Sequence, residues 1–170
     1  MIYPYQRVMI IGSPGSGKST FARALHRLTD LPLIYLDRLF WRADKTTLSR
    51  EEFVSELQRV LSGERWIIDG NYSFTMELRL QRADQVIFLD YPADICLDGI
   101  RKRRNQPRED MPWIETEEDP AFMDFVRNFT QDRRPKILAL LAKYPDTAVT
   151  AFHTRDEADA YLQKWVDGQK

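Results

Sequence analysis

The chain has little of what a disulfide-linked, metal-binding or membrane protein needs. Among its 170 residues there are one cysteine, two histidines and seven glycines. Cys96 alone cannot form a disulfide within the chain, and so few sulfur and imidazole groups exclude a Cys/His metal site. No apolar run approaches the length of a membrane span, and the apolar start is too short for a signal-peptide core. We therefore expect a cytoplasmic protein that is not bound to a membrane.

An excess of charge of one sign is also lacking. Lysine and arginine total 25, aspartate and glutamate total 26, and the net charge is −1. Because duplex binding draws its affinity from many phosphate contacts, direct nucleic-acid binding is not expected. The chain is 43% hydrophobic and 30% charged, which is typical of a globular protein. Its length suits one domain, residues 1–170, as a monomer or a homodimer.

Short apolar runs alternate with helical patterns along the chain. The runs are continuously apolar, as in strands buried on both faces of a parallel sheet. Strands are predicted at 7–11, 33–36, 66–69, 85–91 and 148–152. Helices are predicted at 18–28, 50–61 (with a capping box of Ser49 and Glu52), 93–104, 121–144 (interrupted at Pro135) and 155–166. This alternation predicts a three-layer α/β fold, in which ligands bind beyond the carboxyl ends of the strands.

The segment 12–20, Gly-Ser-Pro-Gly-Ser-Gly-Lys-Ser-Thr, matches the phosphate-loop pattern G-x-x-x-x-G-K-[ST]. A predicted strand precedes it and a predicted helix follows, which is the context that this pattern requires. Lys18 would reach the β- and γ-phosphates, and the Ser19 hydroxyl would ligate Mg²⁺. Loop amides and the start of the helix would bind phosphate oxygens. The predicted nucleotide-binding residues are Gly12, Ser13, Pro14, Gly15, Ser16, Gly17, Lys18, Ser19 and Thr20.

Asp69 ends the third predicted strand. An aspartate there can hold the water shell of Mg²⁺, so Ser19 and Asp69 are predicted as the metal ligands. The alternative is that Asp69 caps a turn with Gly70. Asp90, at the end of the fourth strand, either supports the metal or starts a loop.

These motifs resemble those of adenylate-kinase-like P-loop kinases, and more closely those of the bacterial DNA topology modulation (FlaR-like) proteins. The resemblance covers nearly the whole chain and is carried by the segments 11–20, 35–41, 66–73, 78–84 and 86–90, with Arg103, Arg104, Arg108, Asn128, Phe129 and 134–137. It implies a P-loop NTPase fold, with a five-stranded parallel sheet in the order 2-3-1-4-5, flanking helices and a lid insertion. Adenylate kinases have a phosphate-gripping arginine where this chain has Ser73, which argues against AMP as the acceptor.

The lid is predicted at about residues 101–120. Five basic residues lie between positions 101 and 108, and six acidic ones lie between 109 and 119. Arg103 and Arg104 match the paired lid arginines of the family, and Arg134 lies just before Pro135. We predict that these three stabilise the charge on the transferred phosphoryl group; the alternative is a solvated charged helix face. A core stripe is predicted from helical spacing at Phe122, Phe125, Val126 and Phe129.

Asp37 ends the second predicted strand, where related kinases contact the acceptor. Its carboxylate would orient or deprotonate an acceptor hydroxyl, unless it caps a helix or pairs with Arg38 or Arg42. The pocket wall is predicted to include Phe40, Trp41, Asn71, Tyr72 and Arg79.

The sequence therefore predicts a small-molecule kinase that uses ATP and Mg²⁺, with a nucleoside or nucleotide as the acceptor. The predicted catalytic residues are Lys18, Asp37, Asp69, Arg103, Arg104 and Arg134. The alternative function is a nucleotide-dependent regulatory or DNA-topology-associated ATPase that acts through a partner.

Overall fold

The computed structural model describes residues 2–168. Its centre is a sheet of five parallel strands in the order β2-β3-β1-β4-β5, as predicted. The strands are β1 (Arg7–Gly12), β2 (Leu33–Tyr35), β3 (Trp66–Asp69), β4 (Gln85–Leu89) and β5 (Ala148–Phe152). The three inner strands are almost wholly buried, whereas β2 and β5 at the edges are partly exposed. Burial on both faces explains why the inner strands have no polar alternation.

Eight helices cover the two faces of the sheet within residues 2–168. They are α1 (Lys18–Thr29), α2 (Leu36–Phe40), α3 (Arg50–Leu61), α4 (Ser73–Leu80), α5 (Ala93–Arg103), α6 (Pro120–Asp132), α7 (Arg134–Ala142) and α8 (Arg155–Asp167). Successive side chains of a strand point to opposite faces, so Val8 and Ile10 join one apolar cluster while Met9 and Ile11 join the other. The first cluster includes side chains of α1, α5 and α8, and the second includes side chains of α3, α4 and α7. The predicted three-layer α/β architecture is confirmed.

Several predicted boundaries were wrong. The second strand ends at Tyr35, because Leu36 already begins α2, and the fourth ends at Leu89 rather than at 91. Neither α2 nor α4 was predicted. The segment 121–144 forms two helices, with α7 beginning at Arg134 and Pro135 in its first turn. Proline lacks an N–H group and is tolerated at a helix start, so it separates α6 from α7.

One local feature agrees with the sequence. The Ser49 side chain accepts a hydrogen bond from the Glu52 amide, and the Glu52 carboxylate accepts one from the Ser49 amide, which completes the capping box of α3. The segment predicted as the lid runs from the last turn of α5 to the first residue of α6. Between residues 2 and 168, no helix is long and apolar enough to cross a membrane.

Candidate active site

A cavity of about 1090 Å³ lies at the carboxyl edge of the sheet. Its walls are the segment 12–20 (the P-loop), the end of β3, α2, the lid and the side of α6. Ligand pockets are usually about 300–1,000 Å³, so this cavity has room for a ligand the size of a nucleotide. Six of the nine predicted nucleotide-binding residues line it, whereas Gly12, Ser13 and Ser16 lie behind the surface of the loop.

The P-loop takes its shape from close backbone packing. Gly15 has a φ of 81°, and a Cβ atom there would lie 2.0 Å from the carbonyl oxygen of Cys96 in α5. Arg155, which sequence reasoning did not identify, donates to the carbonyls of Ser16 (3.0 Å) and Gly15 (3.4 Å). The helix α1 begins directly at Lys18 without a side-chain cap. Its first amides are therefore available to an anion at the cavity wall.

The Lys18 side chain packs against the backbone of the P-loop. It would move away from these contacts to bind phosphate. Its Nζ donates to the carbonyls of Gly12 and Ser13, both at 3.1 Å. Burial lowers the pKa of Lys18, and the nearby Asp69 carboxylate opposes this shift. Among the described residues no carboxylate forms an ion pair with Lys18, although Asp69 and Asp37 both attract its charge.

Asp69 and Ser19 have the chemistry of a magnesium site. The Ser19 hydroxyl donates to Asp69 Oδ2 at 2.5 Å, and Asp69 Oδ1 is buried without a hydrogen-bond partner among the described residues. Burial raises the pKa of Asp69 to about 6, against the opposing effects of Lys18 and Ser19. Mg²⁺ prefers oxygen ligands and usually keeps several waters, so one carboxylate and one hydroxyl fit it. This geometry favours the metal role of Asp69 over the turn cap.

The described residues contain no cluster of three or more His, Cys, Asp or Glu side chains that could hold a metal. A magnesium ion at Asp69 would therefore need phosphate oxygens and water as its remaining ligands. That is the usual arrangement in nucleotide-binding sites.

Asp37 lies on the cavity wall, in the first turn of α2. Its Oδ1 accepts a hydrogen bond from the Tyr72 hydroxyl at 2.6 Å. Burial raises the pKa of Asp37, and the Tyr72 hydrogen bond and the charge of Lys18 oppose the shift. The alternative roles of Asp37 are not realised: Tyr35 is the N-cap of α2, and the Arg38 guanidinium donates to backbone carbonyls of the lid.

The predicted aromatic wall is only partly correct. Trp41, Asn71 and Tyr72 line the cavity, whereas Phe40 packs edge-to-face against Phe53 and Tyr72 in the core. Arg79 was predicted in the wall but is fully buried beneath it.

Trp113 of the lid was not predicted as part of the wall. It meets Trp41 edge-to-face, with ring centroids 5.2 Å apart. This contact joins the lid to α2 at the mouth of the acceptor side.

The lid arginines are held by acidic residues of the same segment. Arg103 Nε lies 3.6 Å from Glu115, and Arg108 lies 3.4 Å from the same carboxylate. Arg104 forms a hydrogen-bonded ion pair with Glu118. All of these side chains line the cavity. Arg103, Arg104 and Arg108 are therefore each paired with a carboxylate of the segment 101–120.

Arg134 is not brought to the cavity. Its Nε donates to both carboxylate oxygens of Asp90 at 2.9 Å, and His153 Nδ1 lies 3.5 Å from the same carboxylate. Of the adjacent arginines, Arg133 is the one that lines the cavity, with its guanidinium 5.2 Å from the centre of the Phe125 ring. Asp90 thus anchors α7 to the end of β4 and does not face the metal site.

The predicted core stripe of α6 is shifted around the helix. Val126 and Phe129 are buried as expected, and Met123 joins them. Phe122 and Phe125 line the cavity instead, and Phe125 is 37% exposed. The helix therefore has one face in the core and an edge at the site.

No protein-family model matches the chain, and no curated protein is significantly similar to it in sequence. Solved structures do share its fold. Shikimate kinase from Bacteroides thetaiotaomicron superposes with a TM-score of 0.62 at 18% identity, over 96% of this chain and 97% of the other. Shikimate kinase from Acinetobacter baumannii, solved in complex with shikimate, gives 0.62 at 18% identity over 97% and 95%.

An unliganded sugar kinase from a Janibacter species is also similar, with a TM-score of 0.52 at 17% identity over 96% of this chain and 95% of the other. Coverage is nearly complete in all three comparisons. They establish that the chain has the fold of P-loop kinases.

Proposed function

We propose that this chain is a kinase that uses ATP and Mg²⁺ and transfers the γ-phosphoryl group to a hydroxyl of a small molecule. The observation that carries the proposal is one cavity lined by a phosphate loop with its lysine, a Ser19–Asp69 pair and a second, half-buried carboxylate, Asp37. A protein that only binds nucleotide needs the first two and has no use for the third.

On the donor side, the P-loop amides and Lys18 would hold the β- and γ-phosphates. Ser19 and Asp69 would hold Mg²⁺, which when bound supplies positive charge between the phosphate oxygens. Arg103, Arg104 and Arg133 line the cavity and would stabilise the equatorial oxygens during transfer. We include Arg133 in place of the predicted Arg134, because Arg134 is engaged with Asp90.

On the acceptor side, Tyr72 occupies Oδ1 of Asp37, which leaves Oδ2 for the acceptor. The acceptor oxygen would form the new bond to the γ-phosphorus while the bond to the β-phosphate oxygen breaks and ADP leaves. The acceptor proton would pass to Asp37. A carboxylate whose pKa is raised by burial is a stronger base than a solvated one.

The acceptor class is proposed from the chemistry of the wall. Trp41 and Trp113 offer flat apolar surfaces beside the carboxylate of Asp37. Such a wall suits a ring that carries hydroxyl groups. A nucleoside or nucleotide is our first candidate, and cyclic polyols follow, since one similar structure was solved with shikimate. The absence of an arginine at Ser73 argues against AMP.

We also propose that this chain is related to the FlaR-like proteins, which its motifs resemble more closely. That relationship implies no activity beyond the proposed kinase activity. A regulatory ATPase of the same fold would hydrolyse ATP slowly and without an acceptor. The kinase and the regulatory ATPase therefore differ in whether an acceptor raises the rate of ATP turnover.

Release of ADP is the test. Purified protein is incubated with ATP and Mg²⁺ and with nucleosides, nucleoside monophosphates, hexoses, cyclitols or shikimate. We expect at least one class to raise ADP release more than about tenfold above the acceptor-free rate. Asp37→Asn should remove that stimulation but keep nucleotide binding. A rate that no acceptor class raises would refute the kinase proposal and favour the ATPase.

A further inference from the structure

Arg79 is a buried charge outside the cavity. It lies in α4 with an exposed fraction of 0%. Among residues 2–168 no carboxylate forms an ion pair with it, although the Asp69 carboxylate attracts its charge; burial lowers the pKa of Arg79 to about 9 against that attraction. An unpaired charge in the interior is costly unless hydrogen bonds compensate for it. A side chain of this kind needs an explanation beyond packing.

The two terminal nitrogens of the guanidinium donate to three successive backbone carbonyls, whereas Nε is buried without a hydrogen-bond partner among the described residues. Nη1 donates to Gly70 at 2.8 Å, and Nη2 donates to Asn71 and, at 3.4 Å, to Tyr72. Gly70 has a φ of 135° and Tyr72 a φ of 41°. The left-handed conformation of a non-glycine residue such as Tyr72 costs on the order of 1 kcal/mol and persists only when its surroundings hold it. Thr75 donates to the Tyr72 carbonyl from its amide (2.8 Å) and its hydroxyl (2.9 Å), while Arg79 is the side chain that donates to the Gly70 and Asn71 carbonyls.

The loop connects three parts of the site. It follows Asp69, the proposed magnesium ligand. The Asn71 side chain accepts a hydrogen bond from the Gly12 amide at 3.1 Å and donates to the Gly12 carbonyl at 2.6 Å, so it ties the loop to the P-loop. The Tyr72 hydroxyl holds Asp37. A shift of residues 70–72 would therefore move metal, phosphate and acceptor groups relative to one another.

We propose that Arg79 is the positioning residue that holds residues 70–72, and thereby fixes Asp37 and Asp69 relative to the P-loop. Arg79 does not line the cavity, so it acts through the loop and touches no substrate. The inference rests on the proposed kinase function, but its structural content does not depend on which acceptor is used.

Arg79→Met tests this role, because methionine keeps an unbranched apolar stem and removes every donor. The Gly70 and Asn71 carbonyls lose the donors that Arg79 supplies, while the Tyr72 carbonyl keeps its bonds from Thr75, so residues 70–72 are held less firmly. Misplacement of reacting groups by about 1 Å can cost about 100-fold in rate, so we expect kcat to fall by about 100-fold and the acceptor KM to rise. Arg79→Lys keeps the charge and some donors, and should recover about tenfold of that loss, which leaves its kcat about tenfold below that of the wild type.

Arg82→Met is the matched control. Arg82 lies just beyond the end of the same helix, but its side chain is 41% exposed and pairs with Glu64 at 3.2 Å on the surface. We expect its kcat and KM to stay within about twofold of the wild type. An Arg79→Met protein that folds and matches Arg82→Met in both constants would overturn the inference, even if its melting temperature is lower.

A second readout separates this inference from the proposed function. Calorimetry measures how much Mg²⁺ strengthens ADP binding, and it needs no acceptor. We expect the strengthening to fall at least fivefold in Arg79→Met, because Asp69 is displaced, while binding without Mg²⁺ changes less than about threefold. A wild type that no acceptor stimulates would sink the kinase proposal and leave this measurement valid. If Arg79→Met does not fold, Arg79→Lys carries the test: wild-type kcat and wild-type Mg²⁺ strengthening would refute the role.

Discussion

Replacing Asp69 by asparagine should stabilise the nucleotide-free protein while it abolishes phosphoryl transfer. In the wild type the Asp69 carboxylate is buried beside Lys18, and burial raises its pKa to about 6 from an ordinary value of 3.8. Asparagine has nearly the same shape and carries no charge. It cannot replace a carboxylate as a magnesium ligand, so activity and stability should change in opposite directions.

The size and the pH range of the stability change follow from the pKa. The folded-state pKa lies above the unfolded one, so ionisation of Asp69 costs stability as pH rises from about 4 through 6. A shift of about two units corresponds to about 3 kcal/mol, at about 1.4 kcal/mol per unit. The pKa of Asp69 already includes its attraction to Lys18, so that attraction needs no separate correction. Above pH 7 the free energy of unfolding of Asp69→Asn should therefore exceed that of the wild type by up to about 3 kcal/mol. The two proteins should converge near pH 4.

Urea unfolding at pH 4, 5, 6, 7 and 8, with EDTA and without nucleotide, measures this difference. Linear extrapolation gives the free energy of unfolding of each protein, and an unchanged m-value confirms that the variant is equally compact. The matched control is Asp84→Asn, at a half-buried carboxylate that accepts from the backbone amides of Gln6 and Arg7. Equal or lower stability of Asp69→Asn at pH 7–8 would refute the electrostatic account of the site.

Two further outcomes concern the acceptor base and the transfer arginine. Tyr72→Phe removes a hydrogen bond that lowers the pKa of Asp37 and so opposes the effect of burial. The pKa of Asp37 should therefore rise, and the acidic limb of the kcat/KM profile should move to higher pH. An unmoved limb would exclude Asp37 as the base. Arg133→Met should lower kcat at least about tenfold with little change in melting temperature. Arg134→Met breaks the pair with Asp90 and should chiefly lower stability, by about 1–3 kcal/mol; the opposite pattern would return the transfer role to Arg134.

The P-loop could be predicted from sequence because its physics is local. Glycines, a lysine and a hydroxyl at fixed spacing, between a strand and a helix, are sufficient to specify an anion site. Continuous apolar runs likewise predicted strands that are buried on both faces. The strand order was implied by the family resemblance, since it depends on contacts that no local pattern contains.

Short helices escaped prediction. The helix α2 has five residues and begins directly at the end of β2, and α4 has eight. Helices of this length are not stable alone and form through tertiary packing, here of Leu36, Met76 and Leu80 against the core. Because the second strand was predicted one residue too long, Asp37 was placed at the end of that strand and not in the first turn of α2.

The side that a charged residue faces could not be predicted either. Arg133 and Arg134 are adjacent, and which of them reaches the cavity depends on where α6 stops, which sequence patterns define only to within one or two residues. Arg79 lies on an amphipathic stretch and was expected at the pocket wall. Only the turn of residues 70–72 shows that it lies beneath the wall, bound to carbonyls.

The central claim is that the γ-phosphoryl group leaves on an acceptor and not on water. ATP labelled in the γ-phosphate, incubated with Mg²⁺ and the most effective acceptor, tests it most directly. We expect label in an acceptor phosphomonoester, in amounts equal to the ADP formed, and none above background with Lys18→Met. Label that appears only as inorganic phosphate, at a rate independent of the acceptor, would contradict the account.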